Sequence, residues 1–123
     1  MKRISLQDMS IDQLVERFST LALEQDRALL EDNIKRVNQL YDALKDVEGE
    51  LKLRSGDQRR ALLRLYDHKN PQVRLKAVMA TLAVAPETAR PMLQAIADSR
   101  EYPQAGDARS AIRYLEEGIY KPK

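Results

Sequence analysis

Cysteine is absent from the 123-residue chain, and histidine occurs once. Without cysteine there is no disulfide, no thiolate nucleophile and no cysteine-ligated zinc. The absence fits a reducing compartment. Glycine and proline are scarce, at four and five residues. Long apolar runs are missing too. The longest, Ala77 to Ala85, is interrupted by Thr81 and falls far short of the ~20 residues a membrane-spanning helix needs. The first residues, Met1-Lys2-Arg3-Ile4-Ser5-Leu6-Gln7-Asp8, start basic but lead into no apolar stretch, so no signal peptide is expected. The expected location is cytoplasmic, with no membrane contact. Charge of one sign is missing as well: 21 basic against 19 acidic residues leave a net charge of +2. A dedicated nucleic-acid binder usually carries a larger basic excess. β-branched residues are few and never alternate with polar ones over a strand length, so no strand is expected.

What remains is helical periodicity. Ser10 as N-cap with Gln13 three residues on fits a capping box, flanked by Met9 and Leu14 as a hydrophobic staple. The first helix then carries Leu14, Phe18, Leu21, Ala22 and Ala28-Leu29 as its stripe and ends near Leu30. A second helix runs from about Asp32 to Arg54 on Ile34, Val37, Tyr41, Leu44, Val47 and Leu51. Acid-to-base pairs at i,i+4 support it at Asp32–Arg36, Glu48–Lys52 and Glu50–Arg54. Gly49 lies within it and suggests a bend, and Gly56 suits the position after its end. The break between these helices is marked only by Asp32 and Asn33. A short third helix, capped by Asp57, holds Leu62, Leu63, Leu65 and Tyr66 and ends around His68.

Asn70-Pro71 restarts the chain, with Asn as N-cap and Pro in the first turn. In the fourth helix, at 100° per residue, Val73, Ala77, Ala80 and Val84 form one stripe, and Leu75, Val78, Met79 and Leu82 form a nearly opposite one. A helix apolar on two faces is packed on two sides, which predicts that this helix is central. Pro86 opens a fifth helix on Ala89, Met92, Leu93 and Ile96. Pro103 opens a sixth on Ala105, Ala108, Ala111, Ile112 and Leu115, closed by Gly118, with Ile119 folding back on Tyr114. The expected architecture is all-α: about six helices in three stacked antiparallel hairpins, forming one domain over 1–123, with an N-terminal arm at 1–9 and a C-terminal tail at 119–123. Such hairpins bury their faces by stacking.

The segment Asn70-Pro71-Gln72-Val73-Arg74-Leu75-Lys76-Ala77 resembles the turn and second-helix start of a HEAT repeat, whose signature reads Asp-Pro-x-Val-Arg-x-x-Ala. Asn70 stands for the usual Asp. Thr81 holds the place of the usual Leu, with Leu82 following. No second copy of the motif is visible. Over nearly its whole length the chain also resembles a bacterial family catalogued as a domain of unknown function, two-thousand-nineteen in that series. The matching run is Asp67 to Ala77, then Leu82 and Ala85-Pro86. The resemblance implies a HEAT/armadillo-like fold and no particular reaction.

No residue set has the makeup of a catalytic, cofactor or metal site. His68 lacks the companions a metal site needs and reads as a surface or capping residue at a helix end. Asp26, Glu31 and Asp32 lack the glycine-containing spacing of a calcium loop and read as caps and solvated charge. Arg74 holds the HEAT-motif position, where the resemblance implies a tie between adjacent turns; the other reading is partner recognition. Arg59, Arg60 and Arg64, with Arg54 and Lys52, form a basic cluster, either a solvated face or a site for an anionic partner. Arg109 and Arg113 lie one turn apart on the last helix, relieved by Asp107 and Glu116 or exposed to an acidic partner. The expected function is a non-catalytic protein–protein interaction module, an adaptor or an inhibitor or immunity-type partner. The alternative is a nucleic-acid or phosphate binder using the basic cluster.

Overall fold

Ser10 starts the first long helix as its sequence predicts: its hydroxyl accepts from Gln13 N–H, and the Gln13 side chain accepts from Ser10 N–H. The computed structural model describes residues 4–123, so Met1-Lys2-Arg3, the basic start of the predicted arm, lies outside the described residues. Among these residues the chain is all-helical, without strands: α1 (Ile11–Leu30), α2 (Ile34–Leu53), α3 (Pro71–Thr81), α4 (Pro86–Asp98), α5 (Gln104–Glu116), and 3-10 segments at Leu6–Asp8 and Gln58–Leu65. The chain divides into two compact units, the first ending at Ala61 and the second starting at Leu62.

The first unit is an antiparallel hairpin of α1 and α2. Leu14, Val15, Phe18, Leu21, Ala22 and Ala28 of α1 are buried, as are Leu40, Leu44, Val47 and Leu51 of α2. Gln25, buried on α1, donates to the Val37 carbonyl at 3.2 Å, and Arg36 meets Glu24 at 2.9 Å. The α2 stripe differs from the one predicted. Leu40 is buried, whereas Ile34 and Tyr41 are 61% and 47% exposed. The spacing of Leu40, Leu44, Val47 and Leu51 keeps them on one face, and Ile34 and Tyr41 fall beside it.

The ion pairs also shift. Glu50 meets Arg54 at 2.6 Å as expected, but Arg36 pairs across the hairpin and Glu48 pairs with Lys45 at 3.2 Å. The turn between the helices is a Schellman end: Asp32 N–H donates to Leu29 O and Asn33 N–H to Ala28 O, with Asp32 at φ 55. Asn33 then caps α2 by accepting from Arg36 N–H. Past α2, Asp57 N–H closes a turn onto the Arg54 carbonyl, and Gly56 takes φ 78 within it.

The predicted third helix is a 3-10 segment. Its buried residues are Arg59, Leu62 and Leu65. They recur every three residues, which lines them up at three residues per turn and not at 3.6.

The second unit packs α3, α4 and α5 together, with α4 meeting both of the others. Asn70 accepts from the N–H groups of Gln72 and Val73. Seven of the 11 residues of α3 are buried: Gln72, Val73, Leu75, Ala77, Val78, Ala80 and Thr81. Leu75, Val78 and Leu82 form a core with Ala89, Leu93, Ile96 and Ala97 of α4 and Ala108 and Ala111 of α5. The polar residues inside are partnered. Gln104 donates to Gln72 Oε1 at 2.8 Å. Thr81 Oγ1 lies 2.6 Å from Tyr66 Oη and donates towards the Ala77 carbonyl at 2.8 Å. At the end of α5, Gly118 takes φ 72. Gly118 N–H donates to Leu115 O and Ile119 N–H to Tyr114 O, the Schellman end expected. The tail folds back far enough for Tyr120 to pack on the core.

Candidate functional site

Among the described residues no three His, Asp or Glu side chains converge as metal ligands do. His68 serves the turn before α3: its Nδ1 accepts from Asn70 N–H at 3.0 Å and its carbonyl accepts from Arg74 at 3.0 Å. Arg74 also reaches the Glu101 carboxylate at 2.6 Å. One guanidinium thus joins the α3 entry to the loop between α4 and α5, a task suited to a planar multi-donor group. A cavity of about 380 Å³ beside it is lined by Tyr66, Arg74, Met92, Ile96, Ser99 and Glu101.

The basic cluster predicted around the second and third helices is partly turned inward. Arg54 is bonded to Glu50 and to carbonyls of the N-terminal segment. Arg59 is 6% exposed, and its Nε and Nη2 grip the Asp57 carboxylate at 2.9 and 2.7 Å. That grip holds the Asp57 carboxyl below its ordinary value. Arg60 and Arg64 are exposed, and each already engages another group of the chain.

Arg109 and Arg113 differ from these. Both are exposed on α5. Arg109 Nε donates to the Ala97 carbonyl at the end of α4, at 3.2 Å. Its guanidinium lies 5.8 Å from the Tyr102 ring centre, and that of Arg113 lies 5.3 Å from the Tyr114 ring centre. Tyr102 and Tyr114 are 60% and 40% exposed. Among the described residues neither arginine forms an ion pair with Asp107 or Glu116, one of the two readings of the sequence, and each lies over a tyrosine ring. Burial pushes the Asp107 carboxyl up from its ordinary value, with Lys76 opposing.

The outer side of α5 and the turn just ahead of it therefore present two exposed arginine–tyrosine pairs, Arg109 with Tyr102 and Arg113 with Tyr114. Helix spacing did not reveal the tyrosines. Residues at i,i+1 do not face one another on a helix, yet Arg113 bends over Tyr114. Tyr102 precedes α5 and meets Arg109 only once the chain has turned.

Comparison with solved structures finds the crystal structure of the protein RPA1889 from Rhodopseudomonas palustris CGA009 similar to this chain. The two are 46% identical with a TM-score of 0.93, over 98% of this chain and 100% of the other. Comparison with curated proteins returns no match. The family model described as Domain of unknown function (DUF2019) matches residues 12–116. Since that match takes in α1 through α5 almost entire, the chain belongs to the DUF2019 family.

Proposed function

We propose that the protein is a non-catalytic interaction module that binds another protein through the outer side of α5, as an adaptor or as an inhibitor or immunity-type partner. The observation that carries this reading is the pair of exposed arginines without carboxylate partners, each stacked on an exposed tyrosine. Tyrosine and arginine are enriched where proteins meet, because each offers a large flat area with a polar tip.

The HEAT-like reading of the fold is supported by the α3 entry: Asn70 caps, Pro71 follows, and Arg74 ties the turn to a neighbouring loop. A cytoplasmic setting is supported by the lack of cysteine. The nucleic-acid alternative loses support because Arg54 and Arg59 spend their donors inside the chain.

The test is affinity capture from the native cell with the wild-type chain and with the Arg109→Ala, Arg113→Ala double variant, after a melt shows both to be folded. The partner recovered with the wild type should be lost with the variant. Equal recovery overturns the assignment. Affinity that falls steeply with salt towards a nucleic acid, with a slope set by the number of phosphates contacted, favours the alternative.

A further inference from the structure

The segment ahead of α1 lies against α2 without entering a core. Ile4 is 54% exposed, and no residue of Leu6–Asp8 is buried. Its internal bonds are local: Ser5 Oγ to the Asp8 carboxylate, Asp8 N–H to Ser5 O, and Met9 N–H to Leu6 O. Its link to α2 is one side chain. Arg54 Nη2 donates to the carbonyls of Leu6 at 3.1 Å, Gln7 at 3.4 Å and Met9 at 2.8 Å, while Arg54 Nε is steadied by Glu50 at 2.6 Å. Among the described residues no other hydrogen bond joins residues 4–9 to the hairpin.

The segment has open space on both sides. A cavity of about 580 Å³ runs between Ile4, Leu6 and Met9 and the helix residues Leu21, Ala43 and Val47. A second, of about 880 Å³, opens where Leu6 and Gln7 approach Gly49 and Leu53. A stretch with few buried contacts and one polar tether sits at the low end of local stability. Beneath it, Leu21 and Val47 are only 3% and 1% exposed.

We propose that residues 4–9 form a displaceable strap, latched by Arg54, that covers the Leu21–Val47 face of the hairpin and opens without unfolding it. Latched, the strap keeps that apolar face from water. Unlatched, it makes the face accessible while α1 and α2 stay paired.

Hydrogen exchange on the full chain reads this directly. The Asp8 and Met9 amides should exchange at least about tenfold faster than those of Phe18 and Leu44, since local opening costs less than global unfolding. Arg54→Gln should speed Asp8 and Met9 by about a further tenfold and leave Phe18 and Leu44 unchanged, with Arg54→Lys falling between. Because the chain has no native cysteine, thiol labelling of a Val47→Cys variant gives a second reading, and adding Arg54→Gln should accelerate it. Exchange of Asp8 and Met9 at the rate of Phe18 and Leu44 in the wild type overturns the proposal, a comparison that holds even where a variant fails to fold. So does an Arg54→Gln variant in which Asp8 and Met9 are unaffected or all amides speed up alike.

Discussion

Helices α2 and α3 solve opposite problems. Only four of the 20 residues of α2 are buried, so one stripe holds it and the rest of its surface is water's. Of the 11 residues of α3, seven are buried, and two of those, Gln72 and Thr81, are polar and matched to Gln104 and Tyr66. A one-stripe helix needs the correct period and little else. An enclosed helix needs the correct volume at nearly every position and a partner for each polar group it takes in, because a buried donor or acceptor left unmade costs ~1–3 kcal/mol.

The sharpest test of the one-stripe description lies within α2. Leu40→Ala should cost ~2–5 kcal/mol in denaturant unfolding, as large-to-small core changes do. Ile34→Ala should stay within about 0.5 kcal/mol, the range of ordinary surface changes. Equal costs would break the stripe assignment. On α3 the limit is space. Ala80 is 6% exposed, and Ala80→Leu should cost ~1–3 kcal/mol by overpacking. An unchanged midpoint would remove α3 from its enclosed position.

Two helix ends make a smaller pair. Those of α1 and α5 have the same Schellman bonds, with Asp32 in the left-handed conformation at one and Gly118 at the other. Left-handed backbone suits glycine and burdens other residues. Asp32→Gly should therefore raise stability and Gly118→Ala lower it, each by roughly 1 kcal/mol, read as opposite shifts of the thermal midpoint.

That pair also shows what was legible. The α5 end was readable because glycine announces a left-handed turn. The α1 end was faint because aspartate does the same work without advertising it. The α1, α4 and α5 stripes followed from periodicity, and the two-sided character of α3 followed from its two stripes. What the sequence hid were contacts between residues distant in the chain: Gln25 to Val37, Gln72 to Gln104, and Arg54 to the N-terminal carbonyls. Periodicity reports which way a residue faces and not what it meets. The 3-10 segment reads from sequence only as a short third helix, because its apolar residues Leu62, Leu63, Leu65 and Tyr66 are too few and too unevenly spaced to mark a period, and the buried Arg59 that completes the three-residue spacing carries no apolar signal. Of the candidate site, Arg109 and Arg113 were visible as an arginine pair at the edge of a stripe, whereas Tyr102 and Tyr114 were not.

The smallest expected effect concerns Asp57. Arg59 holds its carboxyl below the ordinary carboxylate value. The stabilisation from this pair is therefore fully present above that ordinary value and is lost as pH falls through the lower folded one. In an NMR carboxyl titration, Arg59→Ala should move the Asp57 midpoint upward. An unmoved midpoint would show that Arg59 is not the cause.

The central functional claim sets the α5 side against the exposed side of the hairpin, since Tyr102 and Tyr41 are both exposed, at 60% and 47%. Each can be replaced in turn by a photo-crosslinking phenylalanine analogue in the native cell. The account predicts a discrete adduct with another protein from position 102 and none from position 41. An adduct from position 41 alone, or none from 102, would contradict it.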